Sequence, residues 1–196
     1  MAGARIEVEV DAATATAALD YVSVKLSPEG RTLLLSDIGE YLLRSTRDRA
    51  AQELSPDGEH WRALEPNYAK WKSGKRPGVP ILKFDNHMIG DQLSRQVEGD
   101  TLLMGTNAPY GAAHQFGADI NIPAHQAEVF FHHAKGEVSP QFVNKAKSNF
   151  AQAVTIPAHT VTLPARPWLG VSDVDADEIV TLSRDHLLGN MPGAAS

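Results

Sequence analysis

Apolar residues recur with helical spacing in three parts of the chain. The longest run predicts a helix that begins at Ser27-Pro28, a cap followed by a first-turn proline, and ends near Leu54. Its expected buried face consists of Leu34, Leu35, Ile38, Tyr41 and Leu42. An alanine-rich helix is predicted from Asp11 toward Tyr21. A last helix, capped by Asp173 and stopped by Gly189, is predicted at the other end.

Alternating patterns predict strands elsewhere. Residues 5–10 alternate isoleucine and valine with charged residues, which predicts a strand with one face in water. The sequence Glu-Gly-Asp at 98–100 predicts a hairpin that joins residues 93–97 to residues 101–106. Residues 55–58, Ser-Pro-Asp-Gly, predict a turn after the long helix.

A four-residue string, Ile-Pro-Ala-His, occurs at 122–125 and again at 156–159. A β-prone run follows each copy, at 127–132 and 160–163, and the intervening residues 139–151 have a helical pattern. These runs predict a two-stranded arm with a helix at its tip or base; the alternative is chance recurrence of the string. Proline limits both runs to edge or bulged strands, and such an edge is available for pairing with a neighbouring subunit.

Residues 107–117 (NAPYGAAHQFG) combine backbone-restricting residues with two aromatics. They predict two helical turns from Tyr110 to Phe116, ended by Gly117, with Tyr110 and His114 on one face.

Residues 163–170 (LPARPWLG) form a second such stretch. Pro164 and Pro167 stiffen the chain on either side of Arg166, so that Trp168 enters a pocket with little conformational entropy left to lose.

Together with residues 56–64 (PDGEHWRAL), these stretches resemble the phage virion morphogenesis family, the tail-completion proteins of Mu-like and related tailed bacteriophages. That family carries a PDG…W segment after a long helix, a leucine-containing segment near a short helix, an N-x-PY…HQFG loop and an IPARPFLG-like loop before a final helix. All four occur here in that order, over residues 27–188. Residues 81–87 (ILKFDNH) depart from the pattern, since relatives more often carry Thr-Gly after the acidic residue.

Seven side chains in these stretches are predicted to be structural or interface anchors: Trp61, Tyr110, His114, Gln115, Phe116, Arg166 and Trp168. Each aromatic, taken singly, is expected in the core. The guanidinium of Arg166 suits a fixed carboxylate or carbonyl partner, and His114 and Gln115 are expected in the same polar cluster.

A basic segment at residues 70–78 is predicted to be a loop with aromatics at Tyr68 and Trp71. Its cations, Lys70, Lys72, Lys75 and Arg76, are candidates for contact with a DNA backbone. The alternative is a solvated loop whose charge keeps it off the core. The basic side chains Arg44, Arg47 and Arg49 are expected to be solvated or to form ion pairs between subunits.

The sequence gives little support for metal binding, catalysis or disulfide formation. The histidines lack metal-binding spacing, the acidic residues at 173–178 suit the first turn of a helix, and a nucleophile elbow is absent from the sequence. The chain contains no cysteine, which excludes disulfides and thiolate ligands. A net charge of −6 argues against a dedicated nucleic-acid binder. No catalytic residue, metal or cofactor is predicted.

These observations predict an α+β protein: a mixed or antiparallel sheet packed on a long helix, within a single domain over residues 1–189. Residues 118–163 are expected to form an inserted, β-rich, protruding arm, and residues 190–196 a flexible tail. The resemblance implies a structural virion protein that acts in tail completion or head–tail joining. It would form a homo-oligomeric ring, sixfold to match a tail tube.

The expected partners are the tail tube and the neck or connector proteins, with transient contact with passing DNA. The expected location is the host cytoplasm during assembly and then the tail or neck of the virion, because no apolar run is long enough to cross a membrane. The competing function is a sequence-nonspecific DNA-binding accessory factor in phage assembly.

Overall fold

The computed structural model describes residues 12–134 and 137–192. The helices in these residues are α1 (Ala12–Lys25), α2 (Pro28–Ala51), α3 (Pro66–Lys75), α4 (Gly111–Phe116) and α5 (Asp173–Leu188). The strands are β1 (Leu93–Glu98), β2 (Thr101–Thr106), β3 (Ala118–Ile122), β4 (His125–Ala134), β5 (Glu137–Phe142), β6 (Phe150–Ile156) and β7 (His159–Leu163). Every described strand pairing is antiparallel, so the fold is α+β, as predicted. The strand predicted at residues 5–10 lies outside the described residues.

Helix α2 is the element on which the others pack. Ser27 caps it by accepting a hydrogen bond from the Gly30 N–H at 3.1 Å, and Pro28 occupies the first turn, as the sequence predicts. The helix ends at Ala51, three residues before the expected end. Of the predicted stripe, Ile38 and Leu42 are buried, whereas Leu34, Leu35 and Tyr41 are only half-buried. The buried residues of the helix are Gly30, Ile38, Gly39, Leu42, Leu43, Thr46 and Ala50.

The predicted hairpin is confirmed and lies against α2. Strands β1 and β2 pair from Leu93 with Thr106 to Glu98 with Thr101, and Gly99 in the turn has a φ of 58°. The contact with α2 is close at Gly39, where a Cβ atom would stand 2.4 Å from the Cδ of Arg95. A larger residue at this position would therefore have to displace the side chains of Arg95 and Leu102.

One apolar cluster forms the core. It gathers side chains from α2, β1 and the connecting loops: Leu43, Ala50, Trp61, Ile81, Met88, Ile89, Leu93, Ala108 and Trp168. Met88 and Ile89 belong to a π-helical turn at His87–Asp91, which follows Asn86 in the left-handed conformation (φ 55°). Asparagine tolerates that conformation better than most residues, which accounts for the turn forming without a glycine.

Residues 118–163, which we call the arm, contain five strands in two sheets. Strand β3 pairs with β7, and β4 lies between β5 and β6. The predicted pairing was wrong, because residues 127–132 pair with β5 and β6 rather than with residues 160–163. The predicted helix at 139–151 was also wrong: this segment holds the end of β5, a 3₁₀ turn at Lys145–Lys147 and the start of β6.

The repeated Ile-Pro-Ala-His strings face each other. Ile122 pairs with His159, and His125 pairs with Ile156, so the two strings run antiparallel where one sheet of the arm passes into the other. In each string the histidine Nδ1 lies about 3 Å from the proline carbonyl two residues earlier: 3.1 Å for His125 and 3.0 Å for His159. The two copies of the string therefore occupy equivalent positions, on the two chain segments that connect one sheet of the arm to the other.

The last helix begins one residue earlier than predicted. Ser172, and not Asp173, is its cap, and Ser172 and Asp175 form a reciprocal capping box. Helix α5 packs against α2, and α1 contacts both of them. The His186 Nε2 lies 3.3 Å from the Lys25 carbonyl oxygen at the end of α1. The predicted tail at 190–196 lies mostly outside the described residues.

Candidate assembly surface

The two aromatic stretches singled out in the sequence contact each other, and we call residues 107–117 and 163–170 together the loop junction. Gln115 joins them with both ends of its amide. Its Oε1 accepts hydrogen bonds from the N–H groups of Trp168 (2.9 Å) and Leu169 (3.0 Å), and its Nε2 donates to the Leu169 carbonyl (2.9 Å). The Arg166 N–H donates to the His114 carbonyl at 2.7 Å. The junction is therefore fixed by main-chain as well as side-chain bonds.

Two tryptophans hold the junction to the core. Trp168 and Trp61 are 3% and 6% exposed. The Trp168 Nε1 donates to the Gly111 carbonyl at 3.1 Å, and the Trp61 Nε1 donates to the Pro167 carbonyl at 2.7 Å. Both indoles thus bury a large apolar area without leaving an unpaired N–H.

Arg166 has fixed hydrogen-bond partners, as predicted, and these partners are backbone carbonyl groups. Its side chain is buried, and its Nε and Nη2 donate to the carbonyl oxygens of Arg62 (2.8 Å) and Ala63 (3.1 Å). Burial and the nearby charge of Arg62 lower the pKa of Arg166, while Glu53 opposes that shift. The guanidinium therefore ties the segment after Trp61 to the segment before Trp168.

His114 belongs to the same region. Burial, and to a lesser extent the charge of Arg166, lower the pKa of His114, which keeps the ring neutral at pH 7. Its ring meets that of Tyr110 edge to face at 5.9 Å, so the predicted shared face is confirmed. The Nδ1 atom of His114 is enclosed and has no hydrogen-bond partner among the described residues.

The remaining aromatics of the junction point outward. Phe116 is 78% exposed and Tyr110 is 45% exposed, although each was expected in the core when taken singly. The two exposed rings of the junction therefore stand above buried side chains: Arg166 and Trp168 of the junction itself, and Trp61 from the segment after α2. Because the buried side chains fix the positions of the two rings, the rings lose little conformational entropy when they contact an apolar surface of another molecule.

A second buried cluster was missed in the sequence. Asp175 is fully buried and accepts hydrogen bonds from Ser45 and Arg49 of α2, and Arg49 also donates to the Gly170 carbonyl at 2.8 Å. The expectation of a solvated or inter-subunit Arg49 was therefore wrong. Burial alone would raise the pKa of Asp175, but hydrogen bonds from Ser45 and Ser172 and the charge of Arg49 lower it. The available signal was the Ser-x-x-Asp spacing of the capping box.

The basic segment is helical through Lys75 and is not the predicted loop. Lys72 points inward: it is 5% exposed and donates to the Pro80 carbonyl at 2.6 Å. Lys70, Lys75 and Arg76 are exposed. The ring of Trp71 stacks with those of Tyr68 (5.4 Å) and Phe84 (5.5 Å) and is half exposed. Arg76 is 3.3 Å from the Asp85 carboxylate.

A cleft of about 650 Å³ lies between α3, the loop junction and β7. Its apolar wall includes Leu64, Ile81, Leu82, Phe84, Met88 and Val161. The basic side chains of Lys72, His87, His114 and Arg166 also line it, together with the carboxylates of Glu65 and Asp85.

The molecule has an unusually large surface. It exposes 13949 Å², whereas a compact monomer of its mass exposes roughly 9,100 Å². The 17 undescribed residues, even if each were fully exposed, would account for roughly 2,700 Å² of that excess. The excess includes apolar side chains on or beside the helices, each at least half exposed: Leu19, Val24, Leu26, Leu33, Val174 and Val180.

The described residues hold no group of three or more His, Asp or Glu side chains placed to bind a metal ion. A helix with the length and hydropathy of a membrane span is also absent from the described part of the chain.

Comparison with known proteins gives one result that covers nearly the whole chain. The model of the phage virion morphogenesis family matches residues 10–188. Neither the curated proteins nor the solved structures contain a significant match. The matched range includes the loop junction, the cleft and the arm, so the chain belongs to the phage virion morphogenesis family.

Proposed function

We propose that this protein is a structural component of the virion that completes the tail or joins it to the head, as a ring at the neck or the head-proximal tail end. Family membership supports a role in virion assembly. The observation that carries the proposal is the excess of surface, which is still roughly 2,000 Å² after the undescribed residues are allowed for. That is more than the roughly 800 Å² that each partner buries in a protein–protein interface of standard size.

The exposed rings of Tyr110 and Phe116 are suited to subunit contacts because the buried tryptophans beneath them fix their position. Strands at the edges of the arm's sheets supply further contacts, with the arm acting as an insertion into a single domain. Contact between two different patches on identical subunits closes into a ring when the rotation permits, and sixfold symmetry would match a tail tube. This role involves neither catalysis nor a cofactor.

An assembly assay tests the role. Heads and tails made without this protein are mixed, with and without the purified chain, and complete particles are counted by electron microscopy. We expect joining to require the chain and to fail with the double variant Tyr110→Ala/Phe116→Ala. Leu103→Ala, a change at a half-exposed position of the β1–β2 hairpin, is the control and should leave joining unchanged. Complete particles forming equally well without the chain would rule out this function.

A second candidate, a sequence-nonspecific DNA-binding accessory factor, is favoured by the exposed cations Lys70, Lys75 and Arg76. Lys72 is engaged inside the protein, and Trp71 already stacks with Tyr68 and Phe84, so binding would rest mainly on phosphate contacts. A gel shift at increasing salt compares the chain with Lys70→Gln/Lys75→Gln/Arg76→Gln. Binding that survives moderate salt and disappears in this variant would favour this candidate over the ring.

A further inference from the structure

Strand β7 has one edge open to the cleft. In the described chain its partner is β3, which occupies its other edge. Val161, Thr162 and Leu163 all line the cleft, although successive side chains of a strand point to opposite faces. Three consecutive lining residues therefore mean that the cleft meets the edge of the strand, where backbone N–H and C=O groups are available for another strand.

The sheet of β3 and β7 has one apolar and one polar face. On the apolar face Ile120 pairs with Val161, and these side chains are 47% and 44% exposed. On the polar face Thr160 and Thr162 donate hydrogen bonds to Asn121 (2.8 Å) and Asp119 (2.7 Å). A strand that continued this sheet would need apolar and polar residues in strict alternation.

Residues 5–10 have that alternation and lie outside the described part of the chain. Ile6, Val8 and Val10 would fall on one face of a strand, with Arg5, Glu7 and Glu9 on the other. Six residues span about 20 Å as a strand, and the five residues of β7 span about 16 Å, so the lengths match. Residues 1–4 and 11, and the undescribed residues 135–136 and 193–196, do not add a second run of this kind.

Charge favours the same occupant. The segment carries two glutamates against one arginine, and the cleft contains the buried cations Lys72 and Arg166. Burial lowers the pKa of both cations, with Glu53 nearby as a partial counter-charge. The carboxylates at the cleft already have partners: Glu65 accepts from the Tyr68 N–H, and Asp85 pairs with Arg76. Lys72 and Arg166 donate to carbonyl oxygens, so an acidic strand at this edge would bring opposite charge toward both cations.

We propose that residues 5–10 of a neighbouring copy add to the open edge of β7 as a third strand, with Ile6, Val8 and Val10 continuing the apolar face next to Val161. The contact joins two different patches, the donated strand and the receiving edge, and so suits a ring in which every copy gives one strand and receives one. The inference rests on the proposed function, since it specifies one of the contacts by which the ring forms.

A matched pair of variants tests the receiving edge. Val161→Lys places a charge where the added strand would lie, whereas Ile120→Lys places the same charge on the cross-strand partner, one strand further from the cleft and almost equally exposed. We expect Val161→Lys to raise the dissociation constant of the oligomer about tenfold or more, because burying an unpaired ammonium opposes association. Ile120→Lys should change it less than about threefold. Equal effects of the two changes would overturn the proposal.

Cross-linking of the otherwise unchanged chain identifies the occupant, and does so even if Val161→Lys fails to fold. A benzoylphenylalanine at position 161 is photolysed in an assembly made from equal amounts of ¹⁴N- and ¹⁵N-labelled protein. We expect cross-linked peptides that join position 161 to residues 5–10 and carry mixed labels. Cross-links to other residues, or cross-links to residues 5–10 of which none carries mixed labels, overturn the inference while assembly itself still supports the ring. Absence of any assembly would overturn the proposed function as well.

Discussion

Trp168 lies where the loop junction meets the core, in contact with the apolar cluster and hydrogen-bonded to Gly111. Because the two prolines beside Arg166 fix the approach of the chain, neighbouring residues have little freedom to close a void at this position. The residue therefore determines both the stability of the core and the position of the exposed rings.

Replacing Trp168 with alanine tests that role. We expect a loss of about 3–5 kcal/mol in the free energy of unfolding, measured by urea titration, from the lost apolar burial and the cavity left behind. Phe116→Ala, at a position 78% exposed, should change stability by less than about 0.5 kcal/mol and yet weaken assembly. A Trp168→Ala protein that kept full stability would contradict the buried position of this side chain in the junction.

Asp175 provides a test with a defined pH dependence. Replacing it with asparagine leaves Arg49 as a buried, uncompensated cation, and we expect a loss of about 3 kcal/mol at pH 7. Since folding lowers the pKa of this carboxyl, its contribution is complete above about pH 4 and is lost as the pH falls through the folded value.

The stability difference between the natural chain and Asp175→Asn should therefore be constant from about pH 5 to 8 and shrink at lower pH. Asp173→Asn, at an exposed position in the same helical turn, is the control and should cost less than about 1 kcal/mol. A difference that grew as the pH fell below 4 would contradict the charged state assigned to Asp175.

Local rules were sufficient for part of the site. Proline spacing around Arg166 and the helical spacing of Tyr110 and His114 are short-range features, and both predictions agree with the structure. The inward orientation of Lys72 depends on its hydrogen bond to the Pro80 carbonyl. The burial of Asp175 depends on Arg49, which is 126 residues earlier in the chain. Such contacts leave little trace in the pattern of a single sequence.

Among the elements, the helices and the hairpin were predictable because their defining contacts are local. The i to i+4 stripe of α2 and the two-residue turn at Gly99 each lie within a short window. The pairing of the arm was not predictable in the same way. Strand β4 pairs with β6 about 20 to 30 residues later, and residues 139–151 have apolar spacing that also suits a helix.

Shortening the arm tests whether it is separable from the core. Ala127 and Val154 are cross-strand partners, so Asn-Gly can replace residues 128–153 as a two-residue hairpin turn. The core cluster contains no residue of the arm among those described, and the tryptophans at 61, 71 and 168 all lie outside it. We expect fluorescence-detected urea unfolding to shift by less than about 1 kcal/mol, while tail joining fails. A loss of several kcal/mol would show that the arm supports the core.

For the whole molecule, the balance between core and surface is the main physical feature. The described residues bury one apolar cluster, and after the undescribed residues are allowed for, the chain still exposes roughly 2,000 Å² more surface than its mass requires. Two-stranded sheets are marginal in isolation and gain stability from a further strand or a packed face. Association with other copies would supply both.

The most direct test of this account is the mass of the purified protein in solution, alone and bound to tail tubes, by native mass spectrometry. The account predicts a closed oligomer, six copies of the 21.2 kDa chain, at the end of each tube. A protein that remains a 21.2 kDa monomer in both conditions and is absent from finished particles would contradict it.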